Sequence, residues 1–167
     1  ARFYYFKAAK NIFMKRLIRV LLLIAGIVTV LLLIGAFLPG TASVARSTTI
    51  KAPPSAVYGV INDLKTYAAW MPWNQKDSAM VTEFSSLTSG KGASYSWKSE
   101  HPQVGNGKMT IIESIPDSIV TTSIEFGGFD RASTAGWTLE NVGGYTKITW
   151  NMTSDLSHNP INRWFGI

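Results

Sequence analysis

Hydrophobic side chains fall along this chain in three successive patterns. From Val20 to Leu38 they are unbroken (VLLLIAGIVTVLLLIGAFL), with Thr29 the one polar side chain in the run. A helix of that length rises roughly 29 Å, close to the hydrocarbon thickness of a bilayer. A core helix of a soluble protein normally keeps a polar stripe, and this run has none, so it reads as a membrane span bounded by Arg19 and Val20 at one end and Leu38 at the other. Pro39-Gly40 ends it.

Beyond the span the pattern shortens. Ala42 to Lys51 is rich in β-branched residues and serine and reads as a strand, with Val44, Arg46, Thr48 and Ile50 on one face. Ala56, Val57, Val60, Ile61 and Leu64 then recur at helical spacing after Pro54-Ser55. A second short helix is expected from Asp63, its cap, to Trp70, with Met71-Pro72-Trp73 stopping it.

From Met80 the period becomes two. Strands are expected at 80–86, 92–99, 107–115, 118–127, 131–141 and 145–155, separated by glycine- and proline-containing turns such as Gly90-Lys91-Gly92, Gly105-Asn106-Gly107, Pro116-Asp117 and Gly143-Gly144. Alternation puts Tyr95 with Trp97; Met109 with Ile111 and Glu113; Thr122 with Ile124 and Phe126; Ala135 with Trp137 and Leu139; and Ile148 with Trp150 and Met152. The expected architecture is α+β, an antiparallel meander with one apolar face that something must cover.

Charge orients this layout. Arg2, Lys7, Lys10, Lys15, Arg16 and Arg19 precede the span with no acid among them, and the rest of the chain is neutral, so the net charge of +6 lies wholly in the N-terminal segment. Basic residues stay on the cytoplasmic side, which puts the N-terminus inside and the large C-terminal part outside. The basic excess suits anionic lipid headgroups and argues against a nucleic-acid partner. Three regions follow: a basic, aromatic segment 1–16, whose Phe3, Tyr4, Tyr5, Phe6 and Phe13 suit an interfacial helix or else a merely helical solvated tail; a transmembrane helix 17–39; and an external domain 40–167. A secretory signal peptide is the rival reading, with Ser43-Val44-Ala45 as a passable cleavage site, but the apolar run exceeds the usual length for one.

Lys51-Ala-Pro-Pro-Ser-Ala-Val-Tyr, Asn62-Asp-Leu, Trp70-Met-Pro-Trp73 with Asp77, Gly90-Lys-Gly-Ala-Ser-Tyr-Ser-Trp97 and Gly105-Asn-Gly-Lys-Met-Thr-Ile111 stand in an order and spacing that resembles the START / Bet v 1-like (SRPBCC) superfamily, most of all its bacterial polyketide cyclase/dehydrase-like members. The resemblance covers about 42–167. It implies a helix-grip fold, a curved sheet gripping a long C-terminal helix over an apolar cavity. The chain reaches Ile167 where that helix would be starting, so the expected helix is truncated and a natural chain continuing past Ile167 is expected. Several members of the group look similar in carrying one N-terminal membrane helix.

Catalytic chemistry is thin. The chain has no cysteine, and His101 and His158 both sit in polar, proline-containing stretches. No spacing suits a metal site and no nucleophile elbow appears, so neither a cofactor nor a catalytic residue is expected. Asp63 reads as a cap, and Asp77, Asp117 and Asp130 as turn residues. Gly90-x-Gly92 and Gly105-x-Gly107 open no helix and read as hairpin turns, not phosphate loops. The expected cavity wall is Tyr95, Trp97, Met109, Ile111, Glu113, Ile124, Phe126, Trp137 and Trp150, with Trp70 and Trp73 either packing or forming its mouth. Glu113 is either a carboxylate inside the pocket or a strand-end residue near solvent.

Three functions are consistent with this reading. The first is a single-pass protein whose periplasmic domain binds an apolar molecule, a lipid or isoprenoid, at the outer face of a bacterial inner membrane. The second is an accessory subunit of a larger membrane complex. The third, a cyclase- or dehydrase-like enzyme, lacks an evident acid/base pair.

Overall fold

The computed structural model describes residues 2–128, 131–156 and 159–166, and the side chains of these except 2–12, 73, 74 and 165. Asp130 and His158, and the side chains of Phe3, Tyr4, Tyr5, Phe6 and Trp73, lie outside the described residues and side chains. The chain divides into two compact units, Ala1–Gly40 with Leu156–Ile167, and Thr41–Asp155.

The first unit is built on α1 (Arg2–Phe37), a single helix of 36 residues. The sequence boundary between an interfacial segment 1–16 and a span from 17 leaves no break in it, because no proline interrupts the segment and its first glycine is Gly26. Its stretch Phe13–Phe37 is, among the described residues, the one helix long and apolar enough to cross a membrane. Most side chains of this stretch point outward, with Leu22 and Leu23 each 67% exposed. The hydroxyl of Thr29 donates back to the Ala25 carbonyl at 2.8 Å, so the single polar side chain of the run is satisfied inside the helix. Near the C-terminus lie a four-residue helix, α5 (Pro160–Arg163), and a 3₁₀ turn, Trp164–Gly166. No long C-terminal helix is present among the described residues.

The second unit is a curved antiparallel sheet of seven strands in the order β1-β7-β6-β5-β4-β3-β2. The strands are β1 (Thr41–Ile50), β2 (Val81–Phe84), β3 (Ser94–Lys98), β4 (Gly107–Ile115), β5 (Ile119–Phe126), β6 (Ser133–Val142) and β7 (Tyr145–Asp155). Every expected strand is present to within two residues at each end, and β2 to β7 form the meander that the alternation implied. The one long-range pairing joins first strand to last, from Thr41 opposite Asp155 to Ile50 opposite Thr146. The turn at Gly143-Gly144 has φ of 59° and 87°, a left-handed pair that glycine adopts without strain and that matches the twist of a two-residue hairpin.

Between β1 and β2 the chain makes three short helices where two were expected: α2 (Pro54–Asn62), α3 (Leu64–Trp70) and α4 (Pro72–Lys76). The expected stop holds, since α3 ends at Trp70 with Met71 extended, and Pro72 also opens α4, because proline at a first turn gives up an N–H that has no intrahelical partner anyway. Asp63 is the cap the sequence indicated: its Oδ1 accepts from the Lys65 N–H at 2.9 Å. The core lies between α2, α3 and the concave face of the sheet. Val57, Ile61, Leu64 and Tyr67 from the helices pack there with Tyr95, Met109, Ile111, Val120, Ile124, Ala135, Leu139 and Ile148 from the strands.

Candidate functional site

The concave face encloses a cavity of about 280 Å³. Its wall comes from two directions. The sheet supplies Tyr95, Trp97, Met109, Ile124, Phe126, Ala135, Trp137, Trp150 and Met152, and the helical segment supplies Tyr67, Trp70, Met71, Pro72 and, before β2, Met80. None carries a formal charge at neutral pH. The strand period puts every second side chain of β3 to β7 on this face, so the wall is a direct consequence of alternation in five consecutive strands.

Aromatic rings organise the wall in two runs. Tyr67, Trp70, Trp137 and Trp150 touch in sequence, at centroid distances of 4.9, 6.2 and 6.2 Å. Tyr95, Trp97 and Phe126 form the second, at 5.6 and 6.1 Å, with Phe84 packing on Tyr95 at 5.7 Å from outside the wall. Tilted and edge-on pairs at these distances each add about 0.5–1.5 kcal/mol beyond burial, so the wall is stiff as well as apolar. Methionines 71, 80, 109 and 152 fill between the rings, and their flexible thioethers can adapt to an occupant.

Trp97 depends on a residue that carries no side chain. It lies opposite Gly107 across the β3–β4 ladder. A Cβ on Gly107 would sit 2.3 Å from Trp97 Cζ2 and 2.7 Å from the Glu125 carbonyl oxygen. The indole therefore occupies the space a side chain at Gly107 would need, and Gly105-x-Gly107 is neither a phosphate loop nor simply a turn. Sequence reading missed this role; the cross-strand signal was a glycine opposite a tryptophan.

Of the nine residues expected in the wall, Tyr95, Trp97, Met109, Ile124, Phe126, Trp137 and Trp150 line the cavity. Ile111 shares their face but lies deeper, fully buried in the core and not on the cavity surface. Glu113 is a correction. The β4–β5 register shifts between Ile111 and Glu113, so Ile112 is an extra residue and the alternation inverts after it. Glu113 turns outward, where its carboxylate accepts from the Thr121 hydroxyl at 3.2 Å. Ser114 turns inward in its place, accepting from the Tyr58 hydroxyl at 2.6 Å and donating to Asn62 Oδ1 at 2.7 Å. The bulge had no signature in the residues, because Ile112 itself fits a strand. Glu113→Gln is accordingly expected to leave both stability and ligand affinity unchanged, within about 0.5 kcal/mol, by denaturant unfolding and binding titration.

Tyr67, Met71, Pro72, Met80, Ala135 and Met152 also line the cavity, beyond the nine residues expected there. Tyr67 lies on the short helix α3, and Met71, Pro72 and Met80 on the stretch between it and β2, where no sustained period says which way a side chain points. Trp70 does form part of the wall while remaining 40% exposed, so it stands at the edge of the cavity.

The titratable groups of the wall are two phenols. Burial pushes the Tyr67 hydroxyl up to about 12, against a partial offset from the Trp137 side chain that hydrogen-bonds it. Burial, with the neighbouring Tyr67 adding to it, also pushes Tyr95 up. Both are neutral hydroxyls at physiological pH. Because the folded state holds Tyr67 above its ordinary value of 10, its unfolded form loses the proton first, and stability present below pH 10 is lost as pH rises toward 12. The loss from Tyr67 alone reaches about 3 kcal/mol. Absorbance of tyrosinate during alkaline titration checks this: the Tyr67 contribution should appear only above pH 11, together with unfolding, and normal titration near pH 10 would contradict it.

Outside the cavity, Asp77 is held below the usual carboxylate range by the Ser99 hydroxyl and the Ala79 N–H, the latter at 2.9 Å. This is the turn role that was expected of it. His101 Nδ1 accepts from the Gln103 N–H at 3.2 Å within a turn. Among the described residues no group of three or more histidine, cysteine, aspartate or glutamate side chains could hold a metal ion.

A curved antiparallel sheet folded over short helices with an apolar hollow between them is the helix-grip arrangement of the SRPBCC, or START / Bet v 1-like, superfamily. Within it, residues 41–166 match the family described as polyketide cyclase / dehydrase and lipid transport, and the chain belongs to that family. Solved structures show the same fold at low identity. The chain is 15% identical to protein CV1439 from Chromobacterium violaceum, covering 74% of this chain and 88% of that one with a TM-score of 0.52. It is 16% identical to an uncharacterized protein from Rhizobium leguminosarum, covering 68% and 76% with a TM-score of 0.52. It is also 16% identical to CalU16 from Micromonospora echinospora, covering 68% of this chain but 60% of that one, with a TM-score of 0.48. No curated protein matches the chain.

Proposed function

We propose that the chain is a membrane-anchored, non-catalytic binding protein that takes an uncharged apolar molecule, a lipid or isoprenoid, into the Trp137 cavity. The anchor is α1, and the binding unit lies at the outer face of a bacterial inner membrane. The observation that carries this reading is the wall itself: fourteen lining residues without one formal charge. Burying an ion there without a partner costs several kcal/mol, so the cavity selects against charge. General acid–base chemistry needs a group that titrates near the working pH, and the two wall phenols are both shifted away from it. The basic flank Lys15, Arg16 and Arg19 supports a cytoplasmic N-terminus. At about 280 Å³ the hollow is at the small end of ligand sites, suited to one chain or one prenyl segment and not to a whole phospholipid.

Tryptophan fluorescence tests this, because Trp70, Trp97, Trp137 and Trp150 all line the cavity. The full chain in detergent is titrated with a long-chain alcohol, the matching fatty acid and the matching alkylammonium. The alcohol should give a saturable change, and the two ions should bind at least tenfold more weakly, a difference of about 1.4 kcal/mol or more. Equal affinities would contradict the proposal.

A further inference from the structure

Ala1–Gly40 and Leu156–Ile167 form one unit because the C-terminal segment closes back on α1. Leu156 N–H donates to the Gly40 carbonyl at 2.9 Å. Asn159 Oδ1 accepts from the Ile161 N–H at 2.9 Å and starts α5. The turn then fits a notch at Gly35, where a Cβ would lie 2.4 Å from the Pro160 carbonyl oxygen and 2.9 Å from Trp164 Nε1. The Trp164 indole donates to the Leu31 carbonyl at 3.2 Å. The Arg163 guanidinium donates to the carbonyls of Ala36 and Leu38 at 2.6 and 3.1 Å. Those carbonyls lie at the helix C-terminus, where the backbone has no intrahelical donor and the macrodipole favours a cation.

The outward side of this segment is apolar. Ile161 is 56% and Trp164 39% exposed, and together with Val28, Leu31 and Leu32 they line one continuous apolar groove. Its depth matters. Leu31 lies six residues before the end of α1 at Phe37, about 9 Å along the helix axis, and so well inside the apolar stretch Phe13–Phe37. Whatever solvates Val28 and Leu32 must also reach Ile161 and Trp164.

We propose that residues 159–166 are a second membrane contact, seating Ile161 and Trp164 in the phospholipid of the leaflet at the C-terminal end of α1. This rests on α1 spanning a bilayer. An indole below the headgroups with its N–H bonded, and an arginine nearer the helix end whose charge is taken up by helix-end carbonyls, are side chains such a position tolerates. Thr41 and Asp155 are paired at the end of the β1–β7 ladder, so the segments leaving the sheet unit start side by side. The sheet unit is then tethered to lipid through both ends.

The chain has no cysteine, so single nitroxide labels can be placed without background. Ile161→Cys, Leu23→Cys and Thr49→Cys are labelled in the full chain, reconstituted in phosphatidylcholine–phosphatidylglycerol vesicles, and compared for collision with oxygen and with a water-soluble nickel chelate. The expected result is that the Leu23 and Ile161 labels favour oxygen and the Thr49 label favours nickel. An Ile161 label as nickel-accessible as that at Thr49, with Leu23 still in lipid, overturns the proposal and leaves the span intact. A Leu23 label in water overturns the span itself. Shielding of Ile161 from both reagents means a protein surface covers it and also overturns the proposal. Gly35→Leu should fill the notch and raise nickel access at Ile161 severalfold without moving Leu23; no change there would overturn the docking at Gly35.

Discussion

Trp137→Ala is expected to destabilise the chain by about 3–5 kcal/mol, a large part of the total stability of an ordinary domain. Trp137 is the ring that joins Trp70 to Trp150, at 6.2 Å from each, and its side chain is the hydrogen-bond partner of the buried Tyr67 hydroxyl. Truncation removes both ring contacts, widens the cavity and leaves a buried polar group unpaired, each of which is destabilising. Ligand affinity should fall with it, because the aromatic run on that side loses its middle member. Thermal unfolding in detergent, followed by near-ultraviolet circular dichroism, measures the effect. A loss below 1 kcal/mol would mean that the aromatic run is not what holds this side of the cavity together.

Gly107→Ala is expected to cost about 2–3 kcal/mol, an unusual penalty for adding one methyl group at a strand end. The new Cβ has nowhere to go: the Trp97 ring is 2.3 Å away and the Glu125 carbonyl oxygen 2.7 Å. Trp97 cannot swing clear cheaply, since it is packed against Tyr95 and Phe126 at 5.6 and 6.1 Å. Either the ring moves into the cavity or the β4–β5 ladder opens beside it. Both outcomes should change the near-ultraviolet tryptophan signal and weaken ligand binding. Wild-type stability and spectrum in this variant would contradict the assigned packing.

Most of the fold was legible because its signals are local. An uncharged run about as long as the bilayer's hydrocarbon core is thick, a switch to period two at Met80, and glycine-rich turns between the strands each depend on a few neighbouring residues. Side-chain direction followed from the same period, which is why seven of the expected wall residues do face the cavity. What was not legible depends on tertiary context. The bulge at Ile112 inverts the alternation without any unusual residue, and Glu113 consequently points to the opposite face. Pro72 starts a helix where proline more often ends one. The contributions of Met71 and Met80 come from a stretch with no period at all. The fit of Pro160 and Trp164 to Gly35 joins residues more than 120 positions apart, beyond the reach of any local pattern.

The central claim is that the Trp137 cavity holds one apolar, uncharged molecule. Native mass spectrometry of the full chain, released from its membrane in mild detergent, tests it most directly when the wild type is compared with Ala135→Phe. Ala135 is 4% exposed and lines the cavity, so a phenyl group there fills the hollow from β6 while the sheet hydrogen bonds stay in place. The account predicts one small neutral adduct per wild-type chain, and its absence from a variant that keeps its thermal stability. No adduct on the wild type, or the same adduct on both, would contradict it.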